Sequence, residues 1–135
     1  MDTLTLNQRR AGDVVVLDLA GRITLGNLDR PLPNALQRLV AEGERSVILD
    51  LSKVTYMDST GLGELVAGYS TLKRNGGRMV LLKLSDRIMD LMTITKLYTV
   101  FDIYDDEAQA LESFETPAPI ATTTPVVNAA TSRLS

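Results

Sequence analysis

The segment that most constrains the fold is residues 46–51, which read Ser-Val-Ile-Leu-Asp-Leu. The run is short, mostly apolar and partly β-branched, which is typical of a central strand that is covered on both faces. An α/β architecture supplies such cover, because its helices pack on the faces of the sheet. The rest of the chain must therefore provide strands that pair with this one and helices that cover it.

Strand patterns recur on both sides of that segment. Residues 4–9 alternate apolar and polar side chains, and residues 14–19 form a second strand-like run. The turn residues 11–13 between them predict an antiparallel hairpin, and Gly21 is expected to end the second strand. The full set of predicted strands is residues 4–9, 14–19, 46–51, 78–84 and 100–104.

Helices are indicated where apolar residues recur at spacings of three and four. Pro31 and Pro33 suit the start of the first helix, and Gly43 is placed to end it. The sequence Asn75-Gly76-Gly77 predicts a left-handed cap at the end of the second helix. Ser85 or Asp86 is expected to cap the third helix, and the acids at 105–107 are expected to begin a fourth. The inner residues are Leu32, Ala35, Leu36, Leu39 and Val40 in the first helix; Leu62, Leu65, Val66, Tyr69 and Leu72 in the second; and Ile88, Leu91 and Met92 in the third.

This order of elements predicts an α/β sandwich with a mixed central sheet of about five strands and about four helices. Each strand–helix–strand step is expected to cross over right-handed. Residues 1–115 are expected to form a single domain. From residue 116 the composition shifts to Pro, Thr and Ala without an amphipathic period, so residues 116–135 are predicted to be a disordered, flexible tail.

Composition excludes several classes of function. The chain has 135 residues, a net charge of -3, no cysteine and no histidine. Cys/His zinc sites and Ser–His–Asp catalysis are therefore impossible, and no metal and no cofactor are expected. The acidic balance and scattered basic residues argue against a nucleic-acid partner. Because no signal peptide and no apolar run long enough to span a bilayer is present, we expect a cytoplasmic protein without a membrane partner.

The most informative segment, Asp58-Ser59-Thr60-Gly61-Leu62-Gly63, lies where the second helix should begin. Asp, Ser and Thr all favour an N-cap, since their side-chain oxygens accept from free backbone N–H groups. Glycine near the start of a helix costs about 1 kcal/mol relative to alanine, so two of them predict a place where another group comes close.

Two interpretations of this segment stay open on the residues alone. It can be simply a well-capped helix start, or it can present a functional hydroxyl. An enzymatic serine is disfavoured, because no histidine exists and Lys53 is expected to lie across a loop. A hydroxyl that receives a phosphoryl group from another protein needs no such activation, because the kinase supplies the catalytic groups.

The run from Asp50 to Gly63, Asp-Leu-Ser-Lys-Val-Thr-Tyr-Met-Asp-Ser-Thr-Gly-Leu-Gly, resembles the signature of STAS-domain anti-sigma factor antagonists. The resemblance spans roughly residues 3 to 115. It includes the strand that ends at Gly21-Arg22-Ile23 and the Gly76-Gly77 turn. In that family the serine directly after the motif aspartate is phosphorylated.

Several expectations follow from the resemblance. Ser59 is the phosphoacceptor, with Thr60 as a secondary candidate. The unphosphorylated protein binds an anti-sigma factor serine/threonine kinase and releases a sigma factor, phosphorylation ends that binding, and a PP2C-type phosphatase restores it. The chain is then a regulator and not an enzyme. The residues expected to contact the partner are Arg22, Met57, Asp58, Ser59, Thr60, Gly61, Leu62 and Gly63.

One position departs from the family pattern. The best-known members carry an acidic residue after the glycine at the end of the second strand, whereas this chain has Arg22 in the segment from Gly21 to Asn27. Partner choice can differ for that reason.

Two other classes compete with the phosphoswitch. One is a receiver-like domain phosphorylated at Asp50, which needs clustered acids to hold magnesium. Only Asp18, flanked by leucines, is available on the earlier strand. The other is a STAS scaffold that works without a phosphorylation cycle.

Overall fold

A computed structural model describes residues 4–24 and 30–115. Within them the chain forms five strands, four α-helices and one 3₁₀ turn. In chain order the elements are β1 (Leu4–Ala11), β2 (Val14–Ile23), α1 (Pro31–Ala41), β3 (Ser46–Met57), α2 (Ser59–Arg74), β4 (Arg78–Leu82), α3 (Asp86–Thr95), the 3₁₀ turn (Leu97–Thr99), β5 (Asp102–Tyr104) and α4 (Glu107–Glu115). The predicted tail at 116–135, together with Leu25, Gly26 and Asn27, lies outside the described residues.

The strands form one sheet in the order β1-β2-β3-β4-β5. β1 and β2 pair antiparallel, while the other three pairings are parallel. The predicted mixed sheet and hairpin are therefore confirmed. Because β2, β3 and β4 run parallel, their carboxyl ends lie toward one edge of the sheet, and loops at that edge commonly bind ligands or partners.

Both faces of the sheet are covered, as residues 46–51 predicted. The larger apolar cluster joins one face of the sheet to α1, α2 and α3, and it contains Leu17, Leu49 and Leu65. The smaller cluster packs α4 against the other face through Ala110 and Ile48. The central strand is buried on both sides because each face has its own helical layer.

The helix caps follow the chemistry of the residues that form them. Pro31 is the first residue of α1, and Ser85 caps α3 by accepting a hydrogen bond from the Ile88 N–H at 3.3 Å. Just after the end of α2, Gly76 adopts a left-handed conformation at φ 80°. The next residue, Gly77, donates its N–H back to the Leu72 carbonyl at 2.7 Å, which completes a Schellman motif.

Several predicted strand boundaries were wrong. β2 does not end at Gly21 but continues to Ile23, and β3 does not end at Leu51 but continues to Met57, because these two extensions pair with each other. β4 stops at Leu82 because Lys83 adopts a left-handed φ of 57°. The last strand is only Asp102–Tyr104, since the residues before it form the 3₁₀ turn.

Candidate functional site

Strand β3 passes into helix α2 through a single residue, Asp58. Its carboxylate Oδ1 accepts a hydrogen bond from the Gly61 N–H at 2.8 Å, and its carbonyl accepts from the Leu62 N–H at 2.9 Å. Its own N–H donates to the Ile23 carbonyl at 3.2 Å, which ties the helix start to the end of β2. Asp58 is therefore the N-cap of α2, as the sequence allowed. Lys53 lies within β3, so it is not separated from Ser59 by a loop as the sequence predicted.

Gly61 is present because the first turn of α2 passes directly over the end of β2. A Cβ at this position would lie 2.0 Å from the Ile23 carbonyl oxygen and 2.8 Å from Ile23 Cγ2. Only a residue without a side chain permits that approach. Gly63 differs, because a Cβ there would meet nothing within 4 Å. Packing therefore explains the first glycine of the motif and not the second.

Ser59 and Thr60 are both exposed on this turn. Among the described residues, no side chain is hydrogen-bonded to the Ser59 hydroxyl, so the fold positions no general base against it. The nearest carboxyl farther along the helix, Glu64, pairs with Arg30 at 3.5 Å. Burial raises the pKa of Glu64, the charge of Asp58 raises it further, and Arg30 opposes both effects. The turn can offer a hydroxyl to an incoming enzyme.

The remaining residues expected at a partner interface differ in accessibility. Met57 is only 5% exposed and packs in the larger core cluster, so its side chain supports the turn and cannot form the apolar contact expected of it in this conformation. Gly61 is buried as well, whereas Gly63 is exposed. Leu62 is half-buried and packs against the core with part of its side chain open. Of these two apolar side chains, only that of Leu62 is partly accessible.

Arg22 does not project freely from the edge of the sheet. It is exposed, and its guanidinium lies 4.4 Å from the centroid of the Tyr56 ring, its register partner on β3. A second guanidinium, that of Arg87 at the start of α3, lies 5.8 Å from the same centroid. Sequence reasoning missed Tyr56 and Arg87, because their contact depends on the folding of β3 and α3 together.

The fold also brings Asp18 and Asp50 to paired positions on β2 and β3. Asp50 is not near a strand end as the receiver alternative required, since β3 continues for seven more residues. Its Oδ1 accepts a hydrogen bond from the Ser52 N–H at 2.9 Å, while Asp18 pairs with Arg9 at 2.7 Å. Within the described ranges, no group of three or more acidic side chains is arranged to hold a metal ion.

A mixed sheet with helices on both faces, a strand that enters a helix through one capping residue, and an exposed serine on the first turn describe a known class of domain. The model of the STAS domain family matches residues 5–110 of this chain, so the chain belongs to that family.

The relatives define the class more narrowly, because they include anti-sigma factor antagonists. The chain is 28% identical over 105 residues to the anti-sigma F factor antagonist of Paenibacillus polymyxa, covering 76% of this chain and 87% of the relative. It is 35% identical over 91 residues to the anti-sigma-B factor antagonist of Bacillus subtilis, covering 66% of this chain and 80% of the relative.

Solved structures agree on the fold. The phosphorylated form of SpoIIAA, a Bacillus cell fate determinant, superposes with a TM-score of 0.64 at 18% identity, covering 82% of this chain and 99% of SpoIIAA. In the segments that the structure describes, no helix has both the length and the apolar character needed to cross a membrane.

Proposed function

We propose that this chain is an anti-sigma factor antagonist that works as a phosphoswitch. Its unphosphorylated form binds an anti-sigma serine kinase and so frees a sigma factor, and transfer of a phosphoryl group to Ser59 ends that binding. A PP2C-type phosphatase then regenerates the binding form. The chain acts in the cytoplasm as the substrate of these enzymes and needs no cofactor of its own.

The observation that carries this proposal is the combination of an accessible hydroxyl with a rigid backbone. Ser59 is exposed, yet the residues on both sides of it are held, Asp58 by its cap and Gly61 by the contact with Ile23. A kinase that binds this turn meets a hydroxyl in a fixed position, and little conformational entropy is lost on binding. Positioning of that kind is what phosphoryl transfer requires of its acceptor.

The switch follows from the charge that phosphorylation adds. A phosphoserine carries about -1.5 to -2 charges at neutral pH. The free protein tolerates this charge, because the first turn of a helix favours anions. In a close interface the same group must lose water and fit against surfaces that matched a neutral hydroxyl. Phosphorylation therefore destabilises the complex more than the free protein.

The direct test of the acceptor is phosphoryl transfer in vitro. The anti-sigma serine kinases encoded in the same genome are purified and incubated with the chain and ATP, and the product is analysed by intact mass and peptide mapping. We expect one phosphoryl group on Ser59, none on Ser59→Ala, and unchanged transfer to Thr60→Ala. Transfer to Ser59→Ala at the wild-type rate would place the acceptor elsewhere, and no transfer to any variant would favour a scaffold without a phosphorylation cycle.

A further inference from the structure

Gly63 is a glycine that neither packing nor backbone conformation requires. It is exposed, and a Cβ here would meet nothing within 4 Å in the part of the chain that the structure describes. It lies within α2 and is not among the residues of positive φ, so any residue could adopt its conformation. Glycine still weakens a helix relative to alanine. We infer that Gly63 keeps the approach to the Ser59 hydroxyl open to the kinase, an inference that rests on the proposed phosphorylation of Ser59.

Helix geometry places Gly63 beside Ser59. Successive residues of an α-helix are rotated by about 100°, so residues four apart lie about 40° from each other on one side of the helix. Gly61, which contacts Ile23, lies about 160° from Ser59 on the opposite side. Ser59 and Gly63 therefore share the side of α2 that faces away from the end of β2, and both are exposed there.

Two positions can place a side chain over the Ser59 hydroxyl. Helix side chains lean toward the N-terminus, so the residues three and four positions later cover a group on the first turn. For Ser59 these residues are Leu62 and Gly63. Leu62 packs with part of its side chain against the larger core cluster, and Gly63 has no side chain. The glycine thus leaves empty a place from which a side chain would overhang the hydroxyl.

The other exposed hydroxyl of this turn lacks the same opening. The residue four positions after Thr60 is Glu64, whose side chain is 13% exposed and pairs with Arg30 at 3.5 Å. A side chain is therefore present at the position that is empty for Ser59. This difference supports transfer to Ser59 in preference to Thr60.

An open approach matters because phosphoryl transfer depends on alignment. The acceptor oxygen must lie in line with the bond that breaks in the nucleotide, and an error of about 1 Å can cost about a hundredfold in rate. A side chain at position 63 would occupy space that the kinase needs beside the hydroxyl. The obstruction should grow with the size of that side chain.

The test is steady-state phosphoryl transfer from ATP, with Gly63→Ala and Gly63→Leu as acceptors for the kinase that phosphorylates the unaltered chain. We expect kcat/KM to fall about tenfold for the alanine variant and about a hundredfold or more for the leucine variant, mainly through kcat. The midpoints of urea unfolding should stay at or above that of the unaltered chain, because both residues favour a helix more than glycine does. A structural role for Gly63 would instead lower them.

The matched control is Ala67→Leu. It adds a leucine side chain at an exposed position on the same side of α2, one turn farther from Ser59. This variant should be phosphorylated at the rate of the unaltered chain. If it slows transfer as much as Gly63→Leu does, or if the loss in the Gly63 variants lies in KM alone, position 63 belongs to a general contact surface and the inference is wrong.

The same measurements separate the inference from the function beneath it. If Ser59 is phosphorylated equally fast in the unaltered chain and in Gly63→Leu, the phosphoswitch stands and the inference is wrong. Should the leucine variant unfold more easily than the unaltered chain, the alanine variant decides, and an unchanged kcat/KM for it contradicts the inference. If no kinase phosphorylates Ser59 of the unaltered chain, the proposed function fails, and the inference fails with it.

Discussion

At the scale of single residues, the two glycines of the motif have different reasons to be there. A Cβ on Gly61 would overlap a backbone oxygen of Ile23, which cannot move aside as the tip of a side chain can. Gly61→Ala gains about 1 kcal/mol of helix propensity but loses more to this overlap. We expect a net loss of about 1–2 kcal/mol in the free energy of unfolding, measured by urea denaturation.

Gly63→Ala is the matched control for that change. The same methyl group is added two residues later, where nothing lies within 4 Å. It should therefore stabilise the protein, by up to about 1 kcal/mol. Equal effects of the two substitutions would show that the close approach to Ile23 does not decide the choice of glycine. From the sequence, both glycines predict a close approach, whereas in the structure only Gly61 makes one.

At the scale of secondary-structure elements, an arginine on the sheet is paired with the first residue of α4. Arg9 on β1 donates to Glu107 at 2.6 Å and to Asp18 at 2.7 Å. The hydrogen bonds from Arg9 lower the pKa of Glu107, while partial burial opposes the shift. Since the pKa is lowered in the folded state, the stabilisation is present above the ordinary glutamate pKa of about 4.3 and is lost as pH falls through the lowered value.

The consequence is a pH-dependent effect of removing Arg9. We expect Arg9→Gln to reduce the free energy of unfolding at pH 7 by about 1 kcal/mol or less, since the side chain is 41% exposed and the pair is screened by solvent. At pH 3 the difference between Arg9→Gln and the unaltered chain should be smaller. Urea denaturation at the two pH values measures it, and a difference that grows at low pH would contradict this role of the pair.

The strand β3 shows why element boundaries were harder to predict than elements. Its buried residues Leu51, Val54 and Met57 recur every three residues and not every two. The register shifts in the pairing of β2 with β3 cause this spacing, because an irregular pair breaks the alternation of faces. From sequence alone, a pattern without period two predicts a loop and not a strand. The strand is extended by its partner β2, and no local pattern in one sequence reveals that pairing.

At the scale of the whole molecule, the alternation of strands and helices was enough to predict the mixed sheet with its two helical layers. The turn at Ser59 could also be predicted, because capping chemistry and glycine placement are local. The contact of Arg22 and Arg87 with the Tyr56 ring could not, since the three residues come from three separate elements. Local chemistry thus predicted the capped turn that carries Ser59, whereas contacts between separate elements depend on the tertiary fold.

The central claim is that the charge on Ser59 controls binding, and one calorimetric experiment tests it most directly. The kinase that phosphorylates the chain is titrated with Ser59→Ala and with Ser59→Asp, two variants that differ in one exposed side chain on the same capped turn. The phosphoswitch predicts that Ser59→Ala binds as the unphosphorylated chain does and that Ser59→Asp shows no measurable heat of binding. Equal affinity of the two variants would contradict it.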